Sequence, residues 1–503
     1  MSKRILFPIS LAMLTTMMAG CAVGPDYRKP PAPAAQQYIP GPLNAYAAAS
    51  GGPAVQGFAE GADVPARWWT LFGSDALDRL VDAAERASPD VQSAEAALRV
   101  GRENAAATRG AYLPSVEAHY TPTRQKISDP LASPLASNAD LYTLHTAQLN
   151  IAYVAGVFGG TRRQSEVSTA QFEQARFQNE AARLTLASNV VAAAIQEAAL
   201  RAQLDAMIEL VALARKQLDV VRKQRQAGQS GASDIAAQET LLAQAEAGLP
   251  PLEKQLAQQH DLVAALTGHL PSDTVEAIKF DALTLPPELP VSLPARLIEQ
   301  RPDIRAAEAQ LHAASAQIGV AKAARLPDIT LSATLGSSSL GLSTLFKSGT
   351  GAWSIGADLV QPIFKGGTLL HQQRAAEAGY DQAAAQYRGV VLTAFQNVAD
   401  TLHAIVLDTK ALEVSLAAEQ AARQSLAIAQ RQWQVGAVGH PAVLLADQAY
   451  RQTMISVVQA RAARFADTVA LFQALGGGWW NTSRQDPAAN SALGQDTTHH
   501  AGR

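Results

Sequence analysis

The sequence predicts a mainly α-helical chain with a membrane β-barrel portion, built from two duplicated halves. Three observations carry that prediction. Ala, Leu and Gln dominate while aromatics and Cys are scarce, the vocabulary of long helices. One plan recurs at an offset of about 210 residues. Four short segments abandon helical periodicity for alternation of apolar and small polar residues.

The chain opens on an export signal. Lys3 and Arg4 precede an apolar run from Ile5 to Met18, too short and too poorly flanked for a spanning helix. Small residues lead into the sole cysteine, and Met18-Ala19-Gly20-Cys21 resembles the bacterial lipoprotein cleavage box, with Met18 where that pattern usually has Leu. The implied modification is a covalent lipid on Cys21, with no other cofactor, and Ala22 after it suggests sorting to the outer membrane. Several acyl chains at about 0.8 kcal/mol per buried CH₂ attach a protein firmly to one leaflet. Residues 1–20 are thus signal peptide, and the Pro-, Ala- and Gly-rich stretch 21–62 is expected to be an extended tether, the ordered body starting near Trp68-Trp69.

The first structural repeat spans 63–270, the second 296–478, with a linker at 271–295 and a polar tail at 479–503. Ser88-Pro89-Asp90-Val91 starts a helix running to Leu113-Pro114, and Arg301-Pro302-Asp303-Ile304 starts one running to Leu326-Pro327. Val157-Phe158-Gly159-Gly160-Thr161 is answered by Ile363-Phe364-Lys365-Gly366-Gly367-Thr368, and Gly228 to Gly231 by Gly436 to Gly439. Each half is therefore a shorter helix, strand-like sequence, a very long helix, a Gly turn, and a helix ending at Thr267-Gly268 or Leu475-Gly476.

From Thr161 to Ala227 there is neither Pro nor Gly, so one helix could extend about 100 Å at 1.5 Å per residue. Leu204, Met207, Val211, Ala214, Leu218 and Val221 follow a heptad seam, as do Val398, Leu402, Ile405, Thr409, Leu412 and Leu416. Strand-like segments lie at about 112–124 and 141–154, at Ile329–Leu335 and at Trp353–Leu359. Their alternation suits an ordinary sandwich strand as well as a bilayer strand with lipid on one face and water on the other. In lipid, however, four strands cannot close a barrel, and unpaired edge groups cost several kcal/mol each, so closure would need several chains.

At this point the sequence resembles the TolC-like outer-membrane efflux proteins, in their NodT-type lipoprotein branch. The resemblance covers about 21–480 and rests on Cys21-Ala22-Val23-Gly24-Pro25-Asp26-Tyr27, Trp68-Trp69 with Phe72, Gln300 to Glu308, Gln361-Pro362-Ile363-Phe364 with Gly366-Gly367, and Ala474 to Trp479. It implies a homotrimer at the cell outer membrane. Each subunit would give four strands to a twelve-stranded barrel and long helices to a periplasmic α-barrel. The implied partners are a periplasmic adaptor (membrane fusion) protein, an inner-membrane pump that is proton-driven, and outer-membrane lipid. The duct would pass small toxic compounds. By this resemblance Gly228, Gly231, Gly436 and Gly439 mark adaptor-docking helix tips. Leu445 and Asp447 are the candidate periplasmic gate, although Leu445 holds the usual acidic position and Pro441 is unusual so soon after the turn. In the first half Asp234 and Glu239 fit the family pattern better. A solvated helix face accounts equally for any of these acids.

Other chemistry finds little support. The net charge is −3 and no Lys/Arg patch is interleaved with aromatics, which excludes a nucleic-acid surface. There is no Cys pair, no His-x-x-x-His helix and no Walker or dinucleotide glycine fingerprint, so the chain is not expected to be an enzyme. His499-His500 falls in the tail, His371 and His403 sit in helices without obvious ligand partners, and Gly341 to Leu345 suits a loop between strands. No helix reads as long and apolar enough to cross the inner membrane. A soluble periplasmic coiled-coil lipoprotein and a periplasmic enzyme with helical arms are the alternatives.

Overall fold

The computed structural model describes residues 22–33, 35, 37–41, 56–128, 131, 137 and 139–481. In chain order the elements are β1 (Gly57–Glu60), α1 (Asp75–Ala87), α2 (Pro89–Arg109), β2 (Ser115–Lys126), β3 (Leu141–Val154), α3 (Gly160–Gln226), α4 (Ala232–Ala247), α5 (Leu249–Leu266), β4 (Glu288–Val291), α6 (Pro294–Gln300), α7 (Pro302–Ala323), β5 (Asp328–Ser339), β6 (Gly351–Val360), α8 (Thr368–Gln434) and α9 (His440–Ala474). The duplicated plan is therefore present. Both long helices have 67 residues. Both shorter helices start on a Pro, whose missing N–H is no loss at a helix start. Ser88 caps α2 through Val91 N–H at 3.4 Å, while Asp303 Oδ1 accepts from Ile304 N–H at 2.9 Å at the start of α7.

The described residues form two compact units: one from those within 22–30, 97–175 and 307–387, the other from those within 31–96, 176–306 and 388–481. In the first, β2-β3-β5-β6 make one antiparallel sheet in that order. Between β5 and β6 a short helical turn at Leu342–Thr344 is pinned by Thr344 Oγ1 donating to Gly341 O at 2.8 Å, as expected of a loop.

The segment after Cys21 is no free tether in this unit. Val23 N–H donates to Phe158 O at 3.2 Å. Arg163, 4 % exposed, donates to Val23 O at 3.2 Å, to Asp26 at 2.7 Å and to Glu166 at 2.8 Å. Tyr27 stacks on His312 at 4.3 Å, and Lys29 pairs with Glu308 at 3.5 Å. Gly24 has φ +101°, and a Cβ there would sit 2.5 Å from Gly319 Cα, so only glycine lets the strap lie this close to α7. Composition suggested a linker, but a buried guanidinium must recruit acceptors, and the strap carbonyls supply them.

In the second unit, Trp68, Phe72, Phe280, Phe465 and Phe472 make an aromatic core, with Trp68 stacked on Phe472 at 5.2 Å. Each buried ring contributes about 1.5–3 kcal/mol. β1 pairs in parallel with β4, so the ordered body begins before Trp68. The supposed linker 271–295 contributes β4 and the buried Phe280, Leu289 and Val291 to this core. Tyr38 donates to Ser292 O at 2.9 Å, fastening the supposed tether at that point. The supposed tail begins later than 479, because Trp479 to Asn481 form a helical turn in which Trp479 Nε1 donates to Gln300 O at 2.7 Å.

Two further expectations are corrected. The helix after the first tip is interrupted at Gly248, where α4 ends and α5 restarts on Pro250-Pro251 with two backbone donors missing. One helix, α8, does contain an 18-residue stretch of mean hydropathy 1.4, a third of it buried within the chain. Val391, Ala394, Val398, Leu402 and Ile405 in it are all buried, which is the heptad seam packing against neighbouring helices. In α3, Val211, Ala214, Leu218 and Val221 are likewise buried, with Leu204 and Met207 half-buried.

Candidate functional site: a two-faced sheet and two helix tips

Strand register resolves the sheet into two faces. One cross-strand row is Val116–Ile151–Ala333–Ile355, the next Ala118–Leu149–Leu335–Trp353, and Tyr153–Leu331–Ala357 continues the same face. The intervening rows are Glu117–Asn150–Thr334–Ser354 and Thr121–Thr146–Ser338. Thr334 and Ser354 hydroxyls share a hydrogen bond of 2.5 Å on this polar face. The period of two therefore sorts most large apolar side chains to one side, with Leu144, Val154 and Val360 among the exceptions.

That apolar side is bare. Trp353 is 74 % and Ile355 77 % exposed, and Leu335 and Val116 are exposed as well. A contiguous apolar face of this size in water marks an interaction or membrane surface. Among the described residues β2 and β6 each pair on one edge only, so their outer edges carry unpaired backbone groups. In hydrocarbon such edges must be closed by further strands. Strands of 10 to 14 residues match a tilted bilayer crossing.

The helix tips in the second unit are near copies. α3 ends with Gln229 N–H on Gln224 O at 2.8 Å and Gly228 N–H on Arg225 O at 2.9 Å. α8 ends with Ala437 N–H on Gln432 O at 2.8 Å and Gly436 N–H on Trp433 O at 2.9 Å. This is a Schellman ending, and Gly228 and Gly436 take the left-handed residue at φ +75° and +76°. Gly231 and Gly439 differ, since their φ values of −88° and −77° are open to any residue. Both are N-caps, and Asp234 accepts from Gly231 N–H at 2.7 Å. Glu239 pairs with Arg222 at 2.7 Å, tying α4 to α3.

Leu445 and Asp447 are not alike in this unit. Leu445 is 66 % exposed, while its neighbours Val443 and Leu444 are buried. Asp447 is half-buried and accepts from Arg451 Nε at 3.3 Å, and Arg451 also pairs with Glu209 of α3. Arg423 of α8 donates to Tyr450 Oη at 3.2 Å beside them. A charged network thus joins α3, α8 and α9 below the second tip. The sequence signals Asp447–Arg451 only as an i,i+4 pair, and Glu209 and Arg423 not at all. Cys21, and His499 with His500, lie outside the described residues.

This combination defines a membrane-channel class of fold. The outer membrane efflux protein family matches residues 80–269 and 293–477, and the chain belongs to it. The pyoverdine export outer membrane protein OpmQ of Pseudomonas putida is 30% identical over 423 residues, which cover 82% of this chain and 88% of that protein. Among solved structures, the outer-membrane channel OprN aligns with a TM-score of 0.80 at 26% identity, covering 91% of this chain and 100% of that one. The outer membrane protein VceC of Vibrio cholerae aligns with a TM-score of 0.74 at 28% identity over 83% of this chain and 100% of that one. The mainly helical, duplicated fold with a membrane β-portion is theirs too, and the protein is an outer-membrane efflux channel component.

Proposed function

We propose that three copies of this chain close a twelve-stranded barrel in the outer membrane and form a passive export duct for small toxic compounds. The observation that carries this reading is the sheet, with one exposed apolar face, one polar face and two unpaired edges. Identical subunits satisfy every edge by pairing β6 of one copy with β2 of the next. The polar rows then line water and the Trp353–Ile355 face meets lipid. Cys21 carries the lipid that adds a second attachment to the same membrane.

The chain catalyses no reaction of its own in this reading, and the energy for export comes from partners. A periplasmic adaptor docks on the tips at Gly228–Gly231 and Gly436–Gly439, and a proton-driven inner-membrane pump loads the duct. Adaptor binding shifts a closed-to-open equilibrium at Leu445 and Asp447. The network of Asp447, Arg451 and Glu209 supports a gate there, because an ion-pair network between helices can exist in two discrete arrangements.

Extraction tests the reading. A Cys21→Ser chain loses its lipid and still requires detergent to leave the membrane if the sheet is a barrel wall. Release as a folded, soluble monomer would leave the apolar face without a lipid partner and sink the duct.

A further inference from the structure

The strands keep their opposite charges on opposite faces of the sheet. Glu117, Asp328 and Asp358 fall on the polar face, in register with Asn150, Val360 and Thr330. Arg124 and Lys126 fall on the apolar face, in register with Thr143 and Leu141. These five are all the Asp, Glu, Lys and Arg of β2, β3, β5 and β6. Cations directed toward lipid are tolerated only near the interface, where phosphates are the anions that meet them.

Their depth fits that interface. α2 leads into β2 at Ser115 and β3 leads out toward α3 at Val154, so Lys126 and Leu141 mark the far end of the pair. The nine steps from Ser115 to Arg124 span about 30 Å at about 3.4 Å each. A tilt of about 40° reduces this to about 23 Å, against an apolar band about 25 Å tall. With the helices on the periplasmic side, Arg124 therefore stands at the headgroup level of the outer leaflet. Among the described residues it makes no ion pair.

A third donor lies beside it. His145 is opposite Pro122, hence diagonal to Arg124, a spacing of about 7–8 Å that one phosphate can bridge between two reaching side chains. Tyr120 stacks on His145 with centroids 6.2 Å apart, and its Oη lies 2.9 Å from His145 Nδ1. With the phenol donating to Nδ1, Nε2–H is left as a donor. Next to this pair on the same face is a groove of about 610 Å³, lined by Ala118, Tyr120, Leu149, Leu335 and Phe346. Phe346, from the loop between β5 and β6, is 81 % exposed. Basic groups above an aromatic pair above an apolar groove match a phosphorylated headgroup carrying acyl chains.

We propose that Arg124, Lys126 and His145 bind the phosphate of lipid A, the phosphorylated glycolipid of the outer leaflet, with one acyl chain lying in the groove at Leu149 and Leu335. The site rests on the barrel reading above and adds to it a specific lipid on the outer wall.

Native mass spectrometry of the full-length protein in detergent counts subunits and bound lipids in one measurement. Titration with diphosphoryl lipid A should give saturable binding, at least tenfold weaker for dephosphorylated lipid A and for phosphatidylglycerol. Arg124→Gln/Lys126→Gln should weaken lipid A at least tenfold, whereas Lys365→Gln, beyond the other end of β6, should leave it unchanged. Trimers that take all three lipids equally, or a folded double variant that binds lipid A unchanged, would overturn this assignment and leave the barrel standing. A monomer without bound lipid would overturn both. The lipid comparison is made on the wild type, so it decides even where the double variant does not fold.

Discussion

An arginine introduced at Ile355 puts the two-faced sheet to its sharpest test. Ile355 is the fifth of ten residues in β6, opposite Ala333 and 77 % exposed on the apolar face. Mid-strand placement sets it near the bilayer midplane in this account. Arg on the lipid face of such a strand costs about 2–4 kcal/mol at the midplane and about 0–1 near the interface. The folded-to-unfolded ratio per subunit should therefore fall about 30- to 1000-fold, at 1.4 kcal/mol per tenfold. Ser354→Arg, one residue away on the polar face, should cost under about 1 kcal/mol, within the range of ordinary surface changes. Leu359→Arg, on the apolar face but at the strand end leading to α8, should cost about 0–1 kcal/mol, well below Ile355→Arg. Urea titration of each variant refolded into lipid vesicles measures all three. Equal costs at 354 and 355, or a larger cost at 354, would refute the assignment of faces.

Three further outcomes follow from the described contacts. Gly24→Ala forces a Cβ to 2.5 Å from Gly319 Cα at positive φ; left-handed strain of about 1–2 kcal/mol alone should raise opening, and limited proteolysis of the 22–30 strap, about five- to thirtyfold. Gly436→Val meets nothing within 4 Å but must hold φ +76°, so about 1–2 kcal/mol of strain should strip amide-exchange protection from Ala437 while leaving the heat stability of the rest unchanged. Asp467 is pushed up to about 7 by burial and by Asp408, against the pull of Arg464. A folded carboxyl pKa above the unfolded value means that the native state holds the proton more tightly, so its contribution is full below about 4 and is lost as the pH rises through about 7. Asp467→Asn should therefore lose the decline in stability between those pH values, as read by denaturant midpoints at pH 5 and pH 8.

The long helices, their Schellman tips and the duplicated plan are legible in the sequence because each rests on local chemistry. An unbroken run without Pro or Gly and a glycine at each tip suffice. β5 and β6 are legible too, since Ile329 to Leu335 and Trp353 to Leu359 alternate cleanly. β2 and β3 are harder to discern, because His119, Thr121, Thr143 and His145 blur the alternation and only pairing with β5 reveals which face each takes. What depends on distant partners is not legible. Gly24 and Arg163 are 139 positions apart, and nothing in a Pro-rich stretch announces that a buried guanidinium will bind its carbonyls. The same holds for β4, whose pairing with β1 turns a supposed linker into core. Asp447 shows the limit for the candidate gate: its acid is visible, but Glu209, which completes the network through Arg451, comes from the other half of the chain.

The central claim is closure of the sheet by identical copies, and electron microscopy of the full-length protein purified in detergent tests it most directly. The account predicts threefold particles with a twelve-stranded barrel, in which β6 of each subunit pairs with β2 of the next. A monomer or dimer with no membrane-embedded end would contradict it.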